Sequence, residues 1–325
     1  MATLSLVIAS SHSPFMYRAP EQWNEIRERR TLRADVPYDS IDQSAAKLKR
    51  CADAMEVLRE KVERVQPDVL VMICDEEPEL LYPNTMPPFV IYAGPEFEGY
   101  NIPSRGVRVA AVPRTPQNWA KVQGHPALGR ELTMGLMLRD FDVAFSLEAP
   151  KSEMSMGVMR PLHSLTPDFG IPVVPIFVNC RFPPQPRGVR CFDLGRALRE
   201  VIEESPLALK VVVLGSGGLW HTPSAPNAYL DEEFDKRLLA GLAEGDGRGT
   251  AEWFDAQARP GEVGDGGDAR GMSRPTGMQG GVGEGAGEVR NWLTAAGAAD
   301  GMHAVVVDYV PVYASPCGMG FAYWE

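Results

Sequence analysis

Four short apolar runs, Leu4–Ala9, Val69–Ile73, Val173–Val178 and Val211–Leu214, constrain this chain most. They are aliphatic or β-branched almost throughout, the pattern of strands covered on both faces of a sheet. Helical stripes stand between them. The longest is Ile41, Ala45, Leu48, Ala52, Met55, Leu58, Val62 and Val65, with Lys, Arg and Glu on the opposite face. Further strands are expected at Phe89–Tyr92, Val107–Val112 and Asp142–Ser146, and further helices at Pro126–Arg139, Phe192–Glu203 and Asp231–Leu242. Strands alternating with helices predict an α/β fold, a central mixed or partly parallel sheet flanked by helices. Such sheets bind ligands at the carboxyl ends of their strands, so the polar tips of these runs form the candidate active site.

The bulk numbers exclude some functions. A chain of 325 residues, 44% apolar and 23% charged, can bury a sizeable core. Its net charge of −11 argues against nucleic acid or an anionic membrane as the main partner. No apolar run approaches the ~20 residues that span a bilayer. The start, MATLSLVIASSHSP, lacks the basic region and cleavage site of a signal peptide. Five scattered cysteines without a CxxC pair fit reduced thiols and a cytoplasmic location. Residues 260–287 carry 11 glycines in 28 positions and read as a flexible or lid-like loop. They divide a domain over 1–259 from a segment over 288–325. That segment holds a short helix, Glu288–Ala296, a strand over Ala304–Val310 and an aromatic tail that packs on the domain or on a partner subunit.

Four polar tips stand out: His12 in ASSHSP, the acidic run Asp75-Glu76-Glu77-Pro78-Glu79, His221 after Gly215-Ser216-Gly217-Gly218, and Glu233 in LDEEFD. Taken alone, each has a plainer reading. A single histidine such as His12 is more often structural. The glycines before His221 suit a tight turn as well as a ligand. Asp231, Glu232 and Glu233 suit a helix N-terminus, where acids complement the macrodipole. The run after Ile73 is harder to dismiss, because adjacent acids repel unless solvated or bound to a cation. No Lys follows the GSGG turn and no GxGxxG is present, which argues against a nucleotide site. Two histidines and carboxylates raised on strand ends suggest a mononuclear metal site with a nearby base.

The segments SSHSP, PDVLVMICDEE, VVPIFVNC, GVRCFDLGRALR, LGSGGLWHTP and LDEEFDKRLL together resemble the class III extradiol ring-cleavage dioxygenases, of which protocatechuate 4,5-dioxygenase is a representative. GAGEVRNWLTAAGA and SPCGMGFAYW are similar to the tail of the gallate and 3-O-methylgallate branch. The likeness runs in order along most of the chain, thinning over residues 15–65 and the glycine-rich stretch. It implies Fe(II) held by two histidines and a glutamate, a catecholic or aminophenolic substrate, O₂ as co-substrate, and a further histidine as acid and base. It also implies a homodimer.

Carried over, His12 matches the first ligand, Glu233 the carboxylate ligand and His221 the acid–base histidine. The second histidine ligand has no counterpart: its place falls on Glu77, with Glu76 and Glu79 in reach. Met156 takes the place of another active-site histidine, and Arg160 and Asn179 are candidates for substrate contact. One imidazole and two carboxylates would leave a divalent cation neutral and shift preference toward harder ions such as Mn(II) or Mg(II). The resemblance therefore leaves three readings open: a ring-cleavage dioxygenase, the same fold turned to metal-assisted hydrolysis or lyase chemistry, and a noncatalytic relative or partner subunit.

Overall fold

A computed structural model describes residues 1–75, 86–104, 113–148, 153–181, 185–221, 227–257 and 286–325. The expected strand over 107–112, the acids Glu76, Glu77 and Glu79, and nearly all of the glycine-rich stretch lie outside them.

The chain runs β1 (Thr3–Ser10), a short 3₁₀ turn (Pro14–Tyr17), α1 (Pro20–Arg27), α2 (Ile41–Val65), β2 (Val69–Asp75), β3 (Phe89–Tyr92) and β4 (Glu96–Tyr100). It continues with β5 (Trp119–Gln123), α3 (Pro126–Met137), β6 (Ala144–Ser146), α4 (Met156–Leu165), β7 (Val173–Val178), α5 (Gly188–Glu204) and β8 (Lys210–Ser216). It closes with α6 (Glu232–Ala243), α7 (Gly247–Gln257), α8 (Val289–Ala298), β9 (Val305–Val312) and β10 (Cys317–Trp324). Eight strands form one sheet in the order β6-β3-β7-β2-β8-β1-β10-β9. Its centre, β7-β2-β8-β1, is parallel, while β3, β10 and β9 add antiparallel pairs toward the edges. The sheet is therefore mixed, with helices on both faces.

The doubly covered strands explain the apolar runs. Along β1, β2 and β8 successive side chains enter opposite cores. Val7, Val69, Val71, Ile73, Val211 and Val213 pack toward α3, α5, α6 and α8. Leu6, Ile8, Leu70, Met72, Val212 and Leu214 pack toward α2 and α4. The long stripe over Ile41–Val65 is a single helix, started by a Ser40–Gln43 capping box and ended by Gln66 in the left-handed region at φ 50°.

Sequence reading missed the elements with weak or competing signals. Residues 15–40, for which no element is expected above, hold α1, which buries Trp23. The helix α4 is short and carries Pro161 in its interior, a residue that reads as a helix breaker. The tail forms β10, which pairs antiparallel with β1 and buries Phe321 and Trp324.

One consequence matters for the site. Because β1, β2, β7 and β8 are parallel neighbours, their carboxyl ends open on the same edge of the sheet. The residues that follow them are brought together whatever their separation in sequence.

Candidate functional site

Three buried side chains meet at that edge. His12 follows β1, Asp75 ends β2, and Glu288 immediately precedes α8. His12 Nε2 lies 3.7 Å from Asp75 Oδ1 and 3.7 Å from Glu288 Oε2. One ligand atom from each of the three falls within 4.8 Å of the others. Exposure is 7% for His12, 1% for Asp75 and 3% for Glu288.

The spacing is too long for hydrogen bonds. Two donors on one cation at metal–ligand distances near 2.1 Å stand roughly 3.0–3.6 Å apart. The two separations of 3.7 Å from His12 Nε2 are a few tenths of an ångström longer than that. A mixed set of one imidazole and two carboxylates suits divalent first-row metals.

The orientation of His12 is fixed from behind. Ser216, at the end of β8, donates its hydroxyl to the Gly157 carbonyl at 2.8 Å, and its oxygen lies 2.9 Å from His12 Nδ1. With its own proton committed to Gly157, Ser216 accepts from Nδ1–H. The lone pair of a neutral His12 then sits on Nε2, facing the two acids. The backbone of His12 is tied as well, through its carbonyl to Arg160 Nη1 at 3.2 Å.

Glu288 is placed by close packing. A Cβ on Gly287 would stand 2.4 Å from the Cys180 carbonyl oxygen, so only glycine lets this chain run against the end of β7. Asn291 and Trp292 of α8 donate to the carbonyls of Ser216 and Gly217 at 2.8 and 2.9 Å, locking the helix to the end of β8. The Glu288 carboxylate accepts from Gly218 N–H at 2.6 Å, from Arg181 Nη2 at 3.0 Å, and faces His221 Nε2 at 2.9 Å.

Charges shift accordingly. Burial alone would push the Glu288 carboxyl up, but His221, then His12, then Arg181 outweigh it and hold it well below the usual carboxylate range. Burial would push His221 down, but Glu288 outweighs burial and raises the imidazole to about 9. In this arrangement His221 carries a proton at neutral pH and directs it at Glu288. Behind His221, Asp235 accepts from Trp220 N–H at 2.7 Å and from the Tyr309 hydroxyl at 2.8 Å. Burial pushes Asp235 up to about 8, against those hydrogen bonds.

A Cβ built on Gly218 would stand 3.3 Å from His221 Nδ1, 3.4 Å from Cys317 Sγ and 3.5 Å from Glu288 Oε2, so glycine lets this turn run close against all three groups.

Among the residues singled out from sequence, His12 and His221 are brought to the site and Glu233 is not. Glu233 lies in the first turn of α6, its side chain 86% exposed and paired with Lys236 at 3.0 Å. Asp231 caps the same helix, accepting from Phe234 N–H at 3.0 Å. The plain helix-start reading accounts for that whole acidic run, and Glu233 is corrected from ligand to surface residue. Glu77 lies outside the described residues; among those described, Asp75 is the acid of that cluster that faces His12.

Glu288 was missed. The residues after it, VRNWLTAAGA, are all buried in the fold, but Arg290, Asn291 and Thr294 break the apolar pattern that would have marked that helix in the sequence. Arg160 is 4% exposed, with Nε donating to Pro103 O at 3.0 Å and Nη1 to His12 O. Asn179, 5% exposed after β7, accepts from Arg181 N–H at 3.3 Å. Met156 is buried at the start of α4, whose first turn supplies the Gly157 carbonyl behind His12.

Comparison with known proteins follows the same outline. A family model described as the catalytic LigB subunit of aromatic ring-opening dioxygenase matches residues 7–319. A gallate dioxygenase from Pseudomonas putida is 35% identical over 128 residues, covering 38% of this chain and 37% of that enzyme. A 2,3-dihydroxyphenylpropionate/2,3-dihydroxicinnamic acid 1,2-dioxygenase from Paraburkholderia phymatum is 25% identical over 304 residues, 84% of this chain and 87% of that one. The match thus spans little more than a third of the gallate enzyme. The crystal structure of uncharacterized protein JW3007 from Escherichia coli K12 shares the fold, with a TM-score of 0.51 at 14% identity over 98% of this chain and 99% of that one.

Proposed function

The chain belongs to the catalytic LigB family of aromatic ring-opening dioxygenases, and from that premise we propose that it is a metal-dependent ring-cleavage dioxygenase acting on a catecholic or aminophenolic compound. The observation that carries this reading is the convergence of one ligand atom each from His12, Asp75 and Glu288 within 4.8 Å, where the carboxyl ends of β1 and β2 meet the start of α8. Fe(II) is the cation that the family resemblance favours, with Mn(II) next because two of the three donors are hard carboxylates. Bound there, such a cation would supply Lewis acidity toward the ring hydroxyls and an electron path between ring and O₂.

The protein's own groups do the rest. Ser216 keeps His12 in the tautomer that offers Nε2. Asp75 and Glu288 offset the cation's charge in a buried setting where water cannot. Buried Leu219, Trp220 and Cys317 wall the His221 side and keep bulk water from it. His221 is the group we assign to proton exchange with the substrate: it holds a proton at neutral pH beside Glu288, would give that proton to a substrate oxygen, and would take one back from a ring hydroxyl. Its Nε2 already faces a carboxylate oxygen at 2.9 Å, and its Nδ1 lies 3.3 Å from the Leu219 carbonyl, so the ring is held at both nitrogens.

The test is oxygen consumption by protein loaded anaerobically with Fe(II), offered gallate, protocatechuate, 2,3-dihydroxyphenylpropionate and 2-aminophenol in turn. Uptake is expected with at least one, and a loss of at least about 100-fold in His12→Ala, which removes a ligand rather than a supporting group. Iron retention without uptake for any of them contradicts the reading. The oxygen-rich donor set favours one rival: turnover sustained by Mn(II) or Mg(II) without oxygen uptake would move the assignment to metal-assisted hydrolysis.

A further inference from the structure

The end of α1 and the segment after it form a cleft of about 400 Å³ that three arginines line. Two of them are committed. Arg27 donates from Nη1 to the Tyr313 carbonyl at 3.1 Å and from Nη2 to the Val36 carbonyl at 3.0 Å. Arg33 donates from Nε to Asp35 Oδ1 at 2.6 Å, and its guanidinium lies 4.0 Å over the Tyr229 ring. Arg30 differs. Its Nε is shut off from solvent and meets no acceptor, and the same holds for Arg18, which ends the 3₁₀ turn after His12. Among the described residues neither guanidinium has an ion pair, not even with Glu28 of the same cleft.

The two cations are neighbours. Burial pushes both below the ordinary arginine range, and the charge of Arg18 pushes Arg30 further down. Like charges are thus held together in partly buried surroundings, within a chain whose net charge is −11. Both the repulsion and the unmet donors cost stability. An anion between the two guanidinium groups would oppose both charges and accept from their N–H groups. Arginine's planar fork matches the paired oxygens of a carboxylate or a phosphate. The cleft falls within the size range of small-ligand sites, and Leu32, Val36 and Tyr38 give it an apolar wall for an organic body beyond the charged end.

We propose that Arg18 and Arg30 hold a small oxyanion, a carboxylate or a phosphate, at this cleft. The site shares no residue with the His12, Asp75 and Glu288 group and does not depend on the metal reading.

The experiment titrates inorganic phosphate and, separately, benzoate into the protein by calorimetry at constant ionic strength. Wild type is compared with Arg18→Gln, Arg30→Gln, the double variant and Arg29→Gln, which makes the same charge change at an exposed neighbour. Saturable binding of at least one anion by wild type is expected, weakened roughly 10- to 100-fold in each single variant at the site and lost in the double variant. Arg29→Gln is expected to bind as wild type does. A saturating anion is also expected to raise the melting temperature of wild type and not of the double variant. Binding of both anions would show that the site reads charge alone. Benzoate alone would assign it to organic carboxylates, and phosphate alone to phosphates. No saturable binding by wild type would overturn the inference, as would equal weakening by Arg29→Gln. Binding that survives the double substitution but is lost in His12→Ala would place the anion at the metal group and overturn it too.

Discussion

Two acidic clusters in this molecule have opposite fates. Asp75 and Glu288 sit at the ends of buried elements, 1% and 3% exposed, and face His12. Asp231, Glu232 and Glu233 open α6, where Asp231 caps the helix and Glu233 points into solvent toward Lys236. The difference lies in what precedes and follows them. A fully apolar strand or an all-buried helix gives an acid no exposed face, whereas the amphipathic α6 gives it one. Asp235, in that same helix, adds a third case. It is buried as deeply as the site acids but has only neutral donors at its oxygens, and burial pushes it up to about 8. Glu288, equally buried but beside His221 and Arg181, moves the other way. Burial alone keeps an acid protonated, and burial beside cations makes it a ligand-ready carboxylate.

Three experiments sharpen that comparison. The largest effect belongs to the support behind His12. Ser216→Ala removes the acceptor that fixes Nδ1–H, and a chelator-competition titration is expected to show metal affinity lowered roughly 10- to 100-fold. An unchanged affinity would mean that the imidazole is oriented by something else.

The next effect is on stability. Asp235 binds its proton more tightly in the folded than in the unfolded chain. Between about pH 4 and pH 8 the unfolded state therefore holds fewer protons, and Asp235 makes stability fall as pH rises through that window. Urea unfolding of Asp235→Asn across the window is expected to remove that component of the fall. A slope identical to wild type would show that Asp235 is ionised in the fold.

The smallest effect is at the exposed cluster. Glu233→Gln is expected to leave metal affinity and melting temperature unchanged, because surface ion pairs contribute little. A loss of metal in that variant would reverse the contrast between the two clusters.

Much of the fold was legible in the sequence because strands covered on both faces write continuous apolar runs. Val173–Val178 matches β7 to the residue, and Ile41–Val65 matches α2. Short helices, such as the ten-residue α4 with Pro161 inside it and the eight-residue α1, write weaker signals. The tail strand β10 reads as Gly-rich and aromatic because Gly318 and Gly320 meet Asp235 and Trp292 with no space for a side chain.

The site was half legible. His12 and His221 follow directly from strand ends, so local pattern finds them. Glu288 reaches the site across more than two hundred residues, through the packing of α8 on β8 and of Gly287 on Cys180. No local rule distinguishes it from Glu233. Arg181 was passed over because its partners, Asp75 and Glu288, become its neighbours only when the sheet forms.

The central claim is that one imidazole nitrogen and one oxygen from each of two acids share a cation. Anomalous scattering at the iron edge, from crystals grown with Fe(II) without oxygen, tests it most directly. The account predicts a single strong peak between His12 Nε2, Asp75 Oδ1 and Glu288 Oε2. A peak beside Glu233, or none near His12, would contradict it.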